Sequence, residues 1–597
     1  MSTQLEPIGT NGPPDPEVDP IAAYAYLDGR RKVIDAEANA RPLIRMWDSA
    51  MNYIGTVGSE RSVEVEELLH DTGTGDITLN ADDWLVDFMR HDVRKDADLH
   101  ITIDPYPHNR SWRHRWGGKV TNVRVKRDED GTHSVVLEVS HNREHWKHLL
   151  FGATPFMPPE VQPIKAWLLP GNLRTIISVT GFINLARQYW PLLALPSNIL
   201  NPGAWVGNIL GAADIWPLNW PVQMQFINPL LDQSRTSVLM SRWSDAHSVT
   251  VDMLKDAGCA VRAYTWLPED ADSPHPELAL LVGDEAARPT RACVVLAVED
   301  KSGRTGPTGT VFDGFLNLIG VTGDDLITEF AYDLTGDEGQ IDPRTNSPIP
   351  PLISSALGVA PELPPVTFRE GQQSAIKSSE HAMFRSKAVT MMTGGKSPGW
   401  VNQAQTFAIR YALSQISEVF MYVNAGGPAS GYQGAVAQPG SPGLENVYQG
   451  QFDDMLLAYI RFTDPLRQLR AGPYAYLEHF EQGTGSGYTV SSTLTLREGH
   501  YKTRPYQAFK VKIVNGQPNM LYYDFDLGDR ALFEIDGVLY SDQLTAIKLH
   551  YDADTPKTFD LSVGDDTESE SPLARVVHSV QNAWSAIALM FGSGDMF

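Results

Sequence analysis

Hydrophobic and polar residues alternate in two separated parts of the chain, which is the pattern of β-strands that bury one face. In the N-terminal part, the alternation predicts strands over 62–69, 76–79, 99–104, 118–127 and 133–141. The Asp-Glu-Asp-Gly turn before the last of these predicts a hairpin. Short helices are predicted over 81–89, with Asn80 or Asp82 as the N-cap, and over 142–150. This part is therefore predicted to be a small β-barrel or sandwich with one or two attached helices.

The C-terminal part repeats the alternation, and the residues between the two parts have mixed patterns. C-terminal strands are predicted over 488–498, 506–516, 531–536, 544–552 and 557–565. The middle of the chain predicts an amphipathic helix over 244–259 that ends at Gly258, strands over 260–267 and 291–300, and helices over 401–424 and 452–464. Segments rich in glycine or proline predict loops over 301–310, 336–370 and 425–443. The pattern as a whole indicates a multidomain α+β fold.

Two stretches resemble each other in strand order, spacing and turn chemistry. The first runs through three strands over 99–141, and the second runs through three strands over 531–565. We interpret them as a weak internal duplication of one type of β-domain.

These patterns divide the chain into seven segments. They are a flexible N-terminal arm (1–25), a first β-barrel domain (26–150), a Trp- and Pro-rich helical insertion (151–240), an α+β domain (241–390), a helical segment with a Gly-rich loop (391–487), a second β-barrel domain (488–565), and an acidic linker with a C-terminal helix (566–597). The insertion has few charges, and we expect it to pack against another domain or subunit.

Composition and charge limit the classes of partner. A hydrophobic fraction of 42% is enough for packed cores, and the net charge of -25 opposes sequence-independent binding of DNA, because an acidic surface repels phosphates. Two interpretations of this acidity stay open. It is suited to a wall past which DNA slides without binding, and it is equally explained as a charge that keeps a large protein soluble. The N-terminus lacks the features of a signal peptide, and Arg174 and Arg187 interrupt the apolar segment 173–195, so no membrane span is expected. Two cysteines, Cys259 and Cys293, predict reduced and partly buried thiols rather than a disulfide framework or a zinc site.

The candidate catalytic patterns fail on their chemistry. His141 to His145 match the H-x-x-E-H zinc signature with His148 nearby, but no third protein ligand is evident, and a structural helix face is the favoured interpretation. The segment 395–399, GKSPG, fits a nucleophile elbow, yet Pro398 has no N–H to donate to an oxyanion. A P-loop would need glycine where Thr390 stands. We therefore predict no catalytic residues, no cofactor and no metal.

The last predicted helix carries a heptad pattern that predicts an oligomer contact. Apolar residues recur at spacings of four and three: Leu573, Val577, Val580, Trp584, Ile587 and Phe591. This is an a/d seam of nearly three heptads. We expect the helix to pack on another helix, either on its own copies about a three-fold axis or on its own chain.

Four stretches of the chain resemble the minor tail proteins of siphophages that infect actinobacteria, which are similar in role to tail-hub or tail-associated proteins. The stretches are 41–85 (RPLIRMWDSAMNYIGTVGSERSVEVEELLHDTGTGDITLNADDWL), 139–162 (VSHNREHWKHLLFGATPFMPPEVQ), 297–310 (AVEDKSGRTGPTGT) and 496–516 (LREGHYKTRPYQAFKVKIVNG). None is a catalytic motif. They carry the fold, and they span most of the chain.

The resemblance implies a structural virion protein, made in the host cytoplasm, that forms the tail-tip hub. Such hubs are generally trimers that continue or close the tail tube, so the two β-domains are expected to be tail-tube-like barrels. The implied partners are the distal tail protein, the tape-measure protein, other minor tail proteins and the host cell envelope, with DNA passing unbound during ejection. A tail-associated peptidoglycan hydrolase and a carbohydrate-binding receptor protein are the alternatives.

Overall fold

The computed structural model describes residues 19–564, except for gaps at 39, 95, 128–130, 132, 155–165, 190–215, 336–341, 348, 372–373, 395–458, 482–498, 500–502, 504–505, 517–518 and 553–556. The helices are α1 (Pro20–Ala38), α2 (Trp84–Asp87), α3 (Glu144–Lys147), α4 (Leu173–Tyr189), α5 (Ala246–Ala257), α6 (Pro276–Val282), α7 (Val311–Thr335), α8 (Leu352–Leu357) and α9 (Pro465–Ala471). A π-helical turn (Phe88–Asp92) follows α2, and a 3-10 turn (Pro217–Asn219) precedes β10.

The strands alternate with these helices along the chain. They are β1 (Leu43–Trp47), β2 (Tyr53–Thr56), β3 (Glu60–Leu68), β4 (Thr74–Asn80), β5 (His100–Asp104), β6 (Trp116–Arg127), β7 (His133–His141), β8 (Leu150–Phe151), β9 (Trp167–Asn172), β10 (Val222–Met224), β11 (Thr236–Ser241), β12 (Ser244–Asp245), β13 (Cys259–Trp266), β14 (Cys293–Asp300), β15 (Thr367–Phe368), β16 (Ile376–Phe384), β17 (Thr390–Gly394), β18 (Tyr459–Thr463), β19 (Glu478–Phe480), β20 (Tyr506–Val514), β21 (Arg530–Ile535), β22 (Val538–Asp552) and β23 (Thr558–Val563). The predicted mixed α+β class is confirmed.

The two strand-rich parts of the chain form one sheet. The sheet has thirteen strands. Eleven follow the order β16-β20-β23-β22-β3-β4-β7-β6-β5-β1-β2; of the other two, β21 pairs with β22, and β15 pairs with β21. Because side chains of both parts alternate between the two faces of this sheet, one hydrophobic core contains Ile77 and Leu137 together with Ile513 and Leu561. The N-terminal and C-terminal parts are thus packed as one body.

This sheet corrects the expectation of two separate barrels in the chain. In the described residues the path of paired strands is open, from β16 at one end to β2 at the other. The reason lies in β22, which is 15 residues long and pairs first with β21 and then with both β23 and β3. Its second half therefore connects the two parts instead of closing one of them. The seven segment boundaries stay predictions.

A second, smaller core lies in the middle of the chain. Strands β10, β14 and β13 form a three-stranded sheet, against which α4 and α5 pack with buried Ile176, Ile177 and Leu254. The N-cap of α5 is Asp245, whose side chain accepts a hydrogen bond from the Ser248 N–H, and its C-cap is Gly258, where the helix was predicted to end. No described helix is both long and apolar enough to cross a membrane.

The two cysteines lie on the paired strands of that small sheet. Cys259 begins β13 opposite Asp300, and Cys293 begins β14 opposite Trp266. Both thiols are free and buried, and burial raises the pKa of each. The prediction of reduced thiols without a disulfide agrees with this placement.

Three local predictions need correction. The N-cap of α2 is Asp83, which accepts a hydrogen bond from the Leu85 N–H, because α2 begins only at Trp84. The helix predicted over 142–150 is a single turn, α3. Residues 459–463 of the predicted helix 452–464 are strand β18, because the aromatic and β-branched run Tyr-Ile-Arg-Phe-Thr pairs with β17. The predicted helix 401–424 lies outside the described residues.

Candidate assembly site

The joint between the two parts of the sheet is the antiparallel pair β3 and β22. Seven residue pairs form it, from Leu68 opposite Ala546 to Ser62 opposite Asp552. Val65 and Leu549 face each other in the core. We call this pair the joint.

Charges on the outer face of the joint complement each other. The Glu64 carboxylate accepts from Lys548 Nζ at 2.9 Å and lies 3.3 Å from His550 Nδ1. The hydrogen bond from Lys548 lowers the pKa of Glu64. Acidic side chains on β3 thus face basic ones on β22, which favours this register over a slipped one.

A buried ion cluster connects the joint to the middle of the chain. Arg262 on β13 donates to Glu67 Oε1 on β3 at 2.9 and 3.1 Å and to Asp526 Oδ2, which precedes β21, at 2.6 Å. Its guanidinium also lies 5.0 Å from the ring centroid of Tyr264. Burial disfavours the charge of Arg262, but Asp526 and Glu67 outweigh it and raise the pKa of Arg262. We call Arg262, Glu67 and Asp526 the Arg262 cluster.

A second buried cluster fixes β5 against the loop that follows β13. The Arg115 guanidinium is fully buried and donates to Asp104 Oδ1 at 2.8 Å and to both oxygens of Asp270 at 2.7 and 2.9 Å. Arg45 donates to the other oxygen of Asp104 at 2.7 Å and to Glu269 at 2.6 Å. Burial raises the pKa of Asp270, although Arg115 opposes this. Bidentate geometry of this kind fixes orientation, so both clusters hold the middle of the chain against the sheet.

The stretches interpreted as a duplication have the same topology. Strands β5, β6 and β7 form one antiparallel meander, and β21, β22 and β23 form another. In both, the long central strand pairs first with the preceding strand and then with the following one. We call them the first and the second meander.

Both meanders contain a β-bulge at an equivalent threonine. The register of β6 against β7 shifts between Val120 and Asn122, and that of β22 against β23 shifts between Leu544 and Ala546. The threonine inside each shift donates to a carbonyl of the partner strand: Thr121 Oγ1 to Glu138 O at 3.0 Å, and Thr545 Oγ1 to Ser562 O at 3.2 Å. A bulge adds one residue and bends its strand, so a shared bulge gives both central strands the same bend.

The histidines of the zinc-like pattern do not converge. His141 ends β7 outside α3, is buried beside the Trp116 ring at 5.4 Å between centroids, and accepts the Arg143 N–H at its Nδ1. Burial lowers the pKa of His141 to about 3 and that of His145 to about 4. The His148 side chain is 78% exposed. Within the described ranges no three His, Cys, Asp or Glu side chains are grouped so that they could hold a metal ion.

Other predicted positions are placed in part. The nucleophile-elbow segment 395–399 and the seam residues 573–591 lie outside the described residues. Of the described tryptophans in the insertion, Trp220 is buried against Phe182 and Tyr189, whereas Trp216 is 59% exposed. The sequence analysis missed the Arg262 cluster, although an arginine inside the apolar run of β13 was a visible signal for a buried ion pair.

A family model of Siphovirus ReqiPepy6 Gp37-like proteins matches residues 43–565. The chain belongs to this family. The predictions of a siphophage tail protein and of a virion location are confirmed by this membership and by two curated relatives. Minor tail protein Gp28 of Mycobacterium phage L5 is 23% identical over 94% of this chain and 96% of its own length, and minor tail protein Gp28 of Mycobacterium phage D29 is 22% identical over 92% and 95%.

Among solved structures, the Gp37-like chain is similar to the tail protein from Neisseria meningitidis MC58. The TM-score is 0.34 at 8% sequence identity, over 88% of this chain and 97% of that one.

Proposed function

We propose that this Gp37-like protein is a non-enzymatic structural subunit of the tail-tip hub. Three copies form a ring that continues or closes the tail tube, supports host attachment and opens for DNA ejection. The observation that carries the proposal is the presence of two bulge-matched meanders joined edge to edge in one chain. Three chains then bring six similar units around the axis. On this proposal the tail-tube-like wall closes between copies, since the described strands of one chain form an open path.

The proposed partners are other copies of the chain, the distal tail protein, the tape-measure protein and further minor tail proteins, with the host cell envelope below. DNA passes without specific binding. The net charge of -25 supports this, because an acidic lumen does not hold phosphates by counterion release. The relatives from phages L5 and D29 carry the name minor tail protein, which supports a place in the tail.

The test of the hub is the mass and symmetry of the protein, alone by native mass spectrometry and in virions by electron microscopy. We expect a three-fold assembly. A ring requires a head-to-tail interface that closes, whereas an isologous contact gives a dimer, so a dimer would contradict the proposal. Deletion of 572–597 should weaken the assembly if the seam helix packs on its own copies, and an unchanged mass would mean that it does not.

The absence of hydrolase activity is part of the proposal. It is supported by the described histidines of the zinc-like pattern, which do not converge on a metal site: His141 is buried, whereas His148 is exposed. Cell-wall preparations from susceptible bacteria, incubated with the protein with and without zinc, should release no soluble fragments. Release that disappears in the His141→Ala and His145→Ala variants would show a lytic enzyme instead.

A further inference from the structure

The two meanders differ in what lies beside the end of their central strand. In the second meander, residues 546–552 of β22 lie between β23 on one side and β3 on the other. In the first meander, residues 122–127 of β6 pair with β7, and no other described strand pairs with them. A strand edge with unpaired N–H and C=O groups is a template for another strand.

The shared bulge fixes which residues of the two central strands correspond. With Thr121 matched to Thr545, Val125 matches Leu549. Leu549 is 4% exposed because β3 lies beside it, whereas Val125 is 45% exposed. Among the described strands, the first meander therefore lacks the neighbour that the second one has.

The opposite end of the sheet offers a strand that corresponds to β3. From the first meander the sheet continues from β7 to β4 and β3, and from the second it continues from β23 to β20 and β16. The paired residues can be followed strand by strand from each bulge to the outer strand. On these two paths Val65 on β3 and Ser379 on β16 have corresponding positions.

The side chains of β16 and β3 differ in exposure in the same way as those of the two central strands. By this match Met383 corresponds to Leu69, which is 2% exposed, whereas Met383 is 64% exposed. β16 pairs only with β20 among the described strands. It therefore has the position of β3 in the fold, but no described strand lies beside it as β22 lies beside β3.

We propose that β16 of one copy pairs antiparallel with residues 122–127 of β6 in the next copy, as β3 pairs with β22 within one chain. This inference rests on the proposed assembly of copies in a ring. If β16 and β6 pair in the same register as β3 and β22, Ser379 lies opposite Val125 and Glu380 lies opposite Arg124. The interface is head-to-tail, so it can close a ring.

The charges of the two strands favour this register. The exposed end of β6 carries Arg124, Lys126 and Arg127, and Glu380 on β16 is exposed. At the corresponding position of the pair β3 and β22 within one chain, Lys548 lies opposite Glu66. Opposite charges on directly opposed strand residues stabilise a pair, and like charges destabilise it.

Cysteine cross-linking of the full-length protein tests the pairing. Directly opposed residues of an antiparallel pair have Cα atoms about 4.5–5.5 Å apart, within the reach of a disulfide. We expect the double variant Arg124→Cys, Glu380→Cys to form covalent multimers under mild oxidation, and a reductant to release them. Within one chain the two strands are seven steps apart in the sheet, about 34 Å at the usual strand spacing. The matched control, Val125→Cys with Glu380→Cys, places the thiols on opposite faces and should not cross-link.

The mass of the same sample, measured by light scattering, separates the failure of this pairing from that of the hub. A multimer whose chains stay unlinked would overturn the pairing and leave the ring standing. A monomer that does not assemble at any accessible concentration would overturn both, and an intramolecular cross-link would show that the sheet closes within one chain. As a second test, Arg124→Glu should shift the multimer to monomer, and Arg124→Glu with Glu380→Arg should restore it. Assembly that is unchanged in Arg124→Glu would count against the register.

Discussion

Replacement of Arg262 by methionine removes the guanidinium that donates to both Glu67 and Asp526, while methionine keeps the length and apolar contacts of the side chain. In the folded protein Glu67 is buried and Asp526 is partly exposed. Loss of one partner from a buried ion pair costs about 3–5 kcal/mol, because the remaining charge is left without compensation. Water can reach Asp526 in part, so we expect the lower end, a loss of about 3 kcal/mol in the free energy of unfolding.

Equilibrium urea denaturation of the wild type and Arg262→Met measures this loss. The matched control is the triple variant Arg262→Met, Glu67→Gln, Asp526→Asn, in which no charge is left alone, and it should recover most of the loss. Arg262→Lys should be intermediate, because an ammonium cannot donate to both acids with the fork of a guanidinium. A loss in Arg262→Met below about 1 kcal/mol, the value typical of a surface ion pair, would refute the reasoning.

The position of the cluster predicts where the weakening occurs. Since Glu67 lies on β3 in the joint, amide hydrogen exchange in Arg262→Met should increase along residues 546–552 of β22. The sheet of β17, β18 and β19 shares no residue with the cluster and should exchange as in the wild type. Uniformly increased exchange would mean that Arg262 acts on global stability and not on the joint.

Three further predictions concern single sites. Gly258→Ala should lower the free energy of unfolding by about 1–2 kcal/mol, because Gly258 has a φ of 67° and an added Cβ would meet Ser302 Cα at 3.0 Å; thermal or urea unfolding checks this, and an unchanged stability would contradict it. His141 has a pKa of about 3 in the folded protein, so as the pH falls below 6.5 the imidazole is protonated in the unfolded chain but not in the folded one. Between pH 7.5 and 5.5 the free energy of unfolding of the wild type should therefore fall by about 1.4 kcal/mol more than that of His141→Gln. Burial lowers the pKa of Lys557 to about 8, so the unfolded chain holds more protons between pH 8 and 10.5; the stability of the wild type relative to Lys557→Met should rise over that range, and a fall would reverse the assigned sign.

Strand positions were predictable where each strand buries one face. The run that became β5 alternates strictly, and the runs that became β6 and β7 alternate over part of their length. The structure places all three strands within two residues of the predicted bounds. The helix α5 was predictable for a similar reason, since its N-terminal aspartate and its final glycine mark both ends. Local signals were sufficient for these elements because they depend on neighbours close in sequence.

The joint and the bulges could not be predicted, because they depend on contacts between distant residues. Nothing near Val65 indicates that its neighbour across the strands is Leu549. A threonine in a strand is ordinary, so Thr121 and Thr545 gave no sign of a register shift until the pairing was known. The strand β18 was missed because its pairing with β17 outweighed the helical spacing of the apolar residues before it.

The placement of the two thiols determines whether they can form a disulfide once the virion has left the host cell. Cys259 and Cys293 lie at opposite ends of one strand pair, seven residues apart along β13, which is about 23 Å at the usual rise per residue. A disulfide needs Cα atoms within about 7 Å, so oxidation cannot link the two within one folded chain. Burial also keeps both thiols protonated and therefore unreactive. When the virion leaves the reducing host cell, the two thiols can thus stay reduced, and the folded chain needs no disulfide between them.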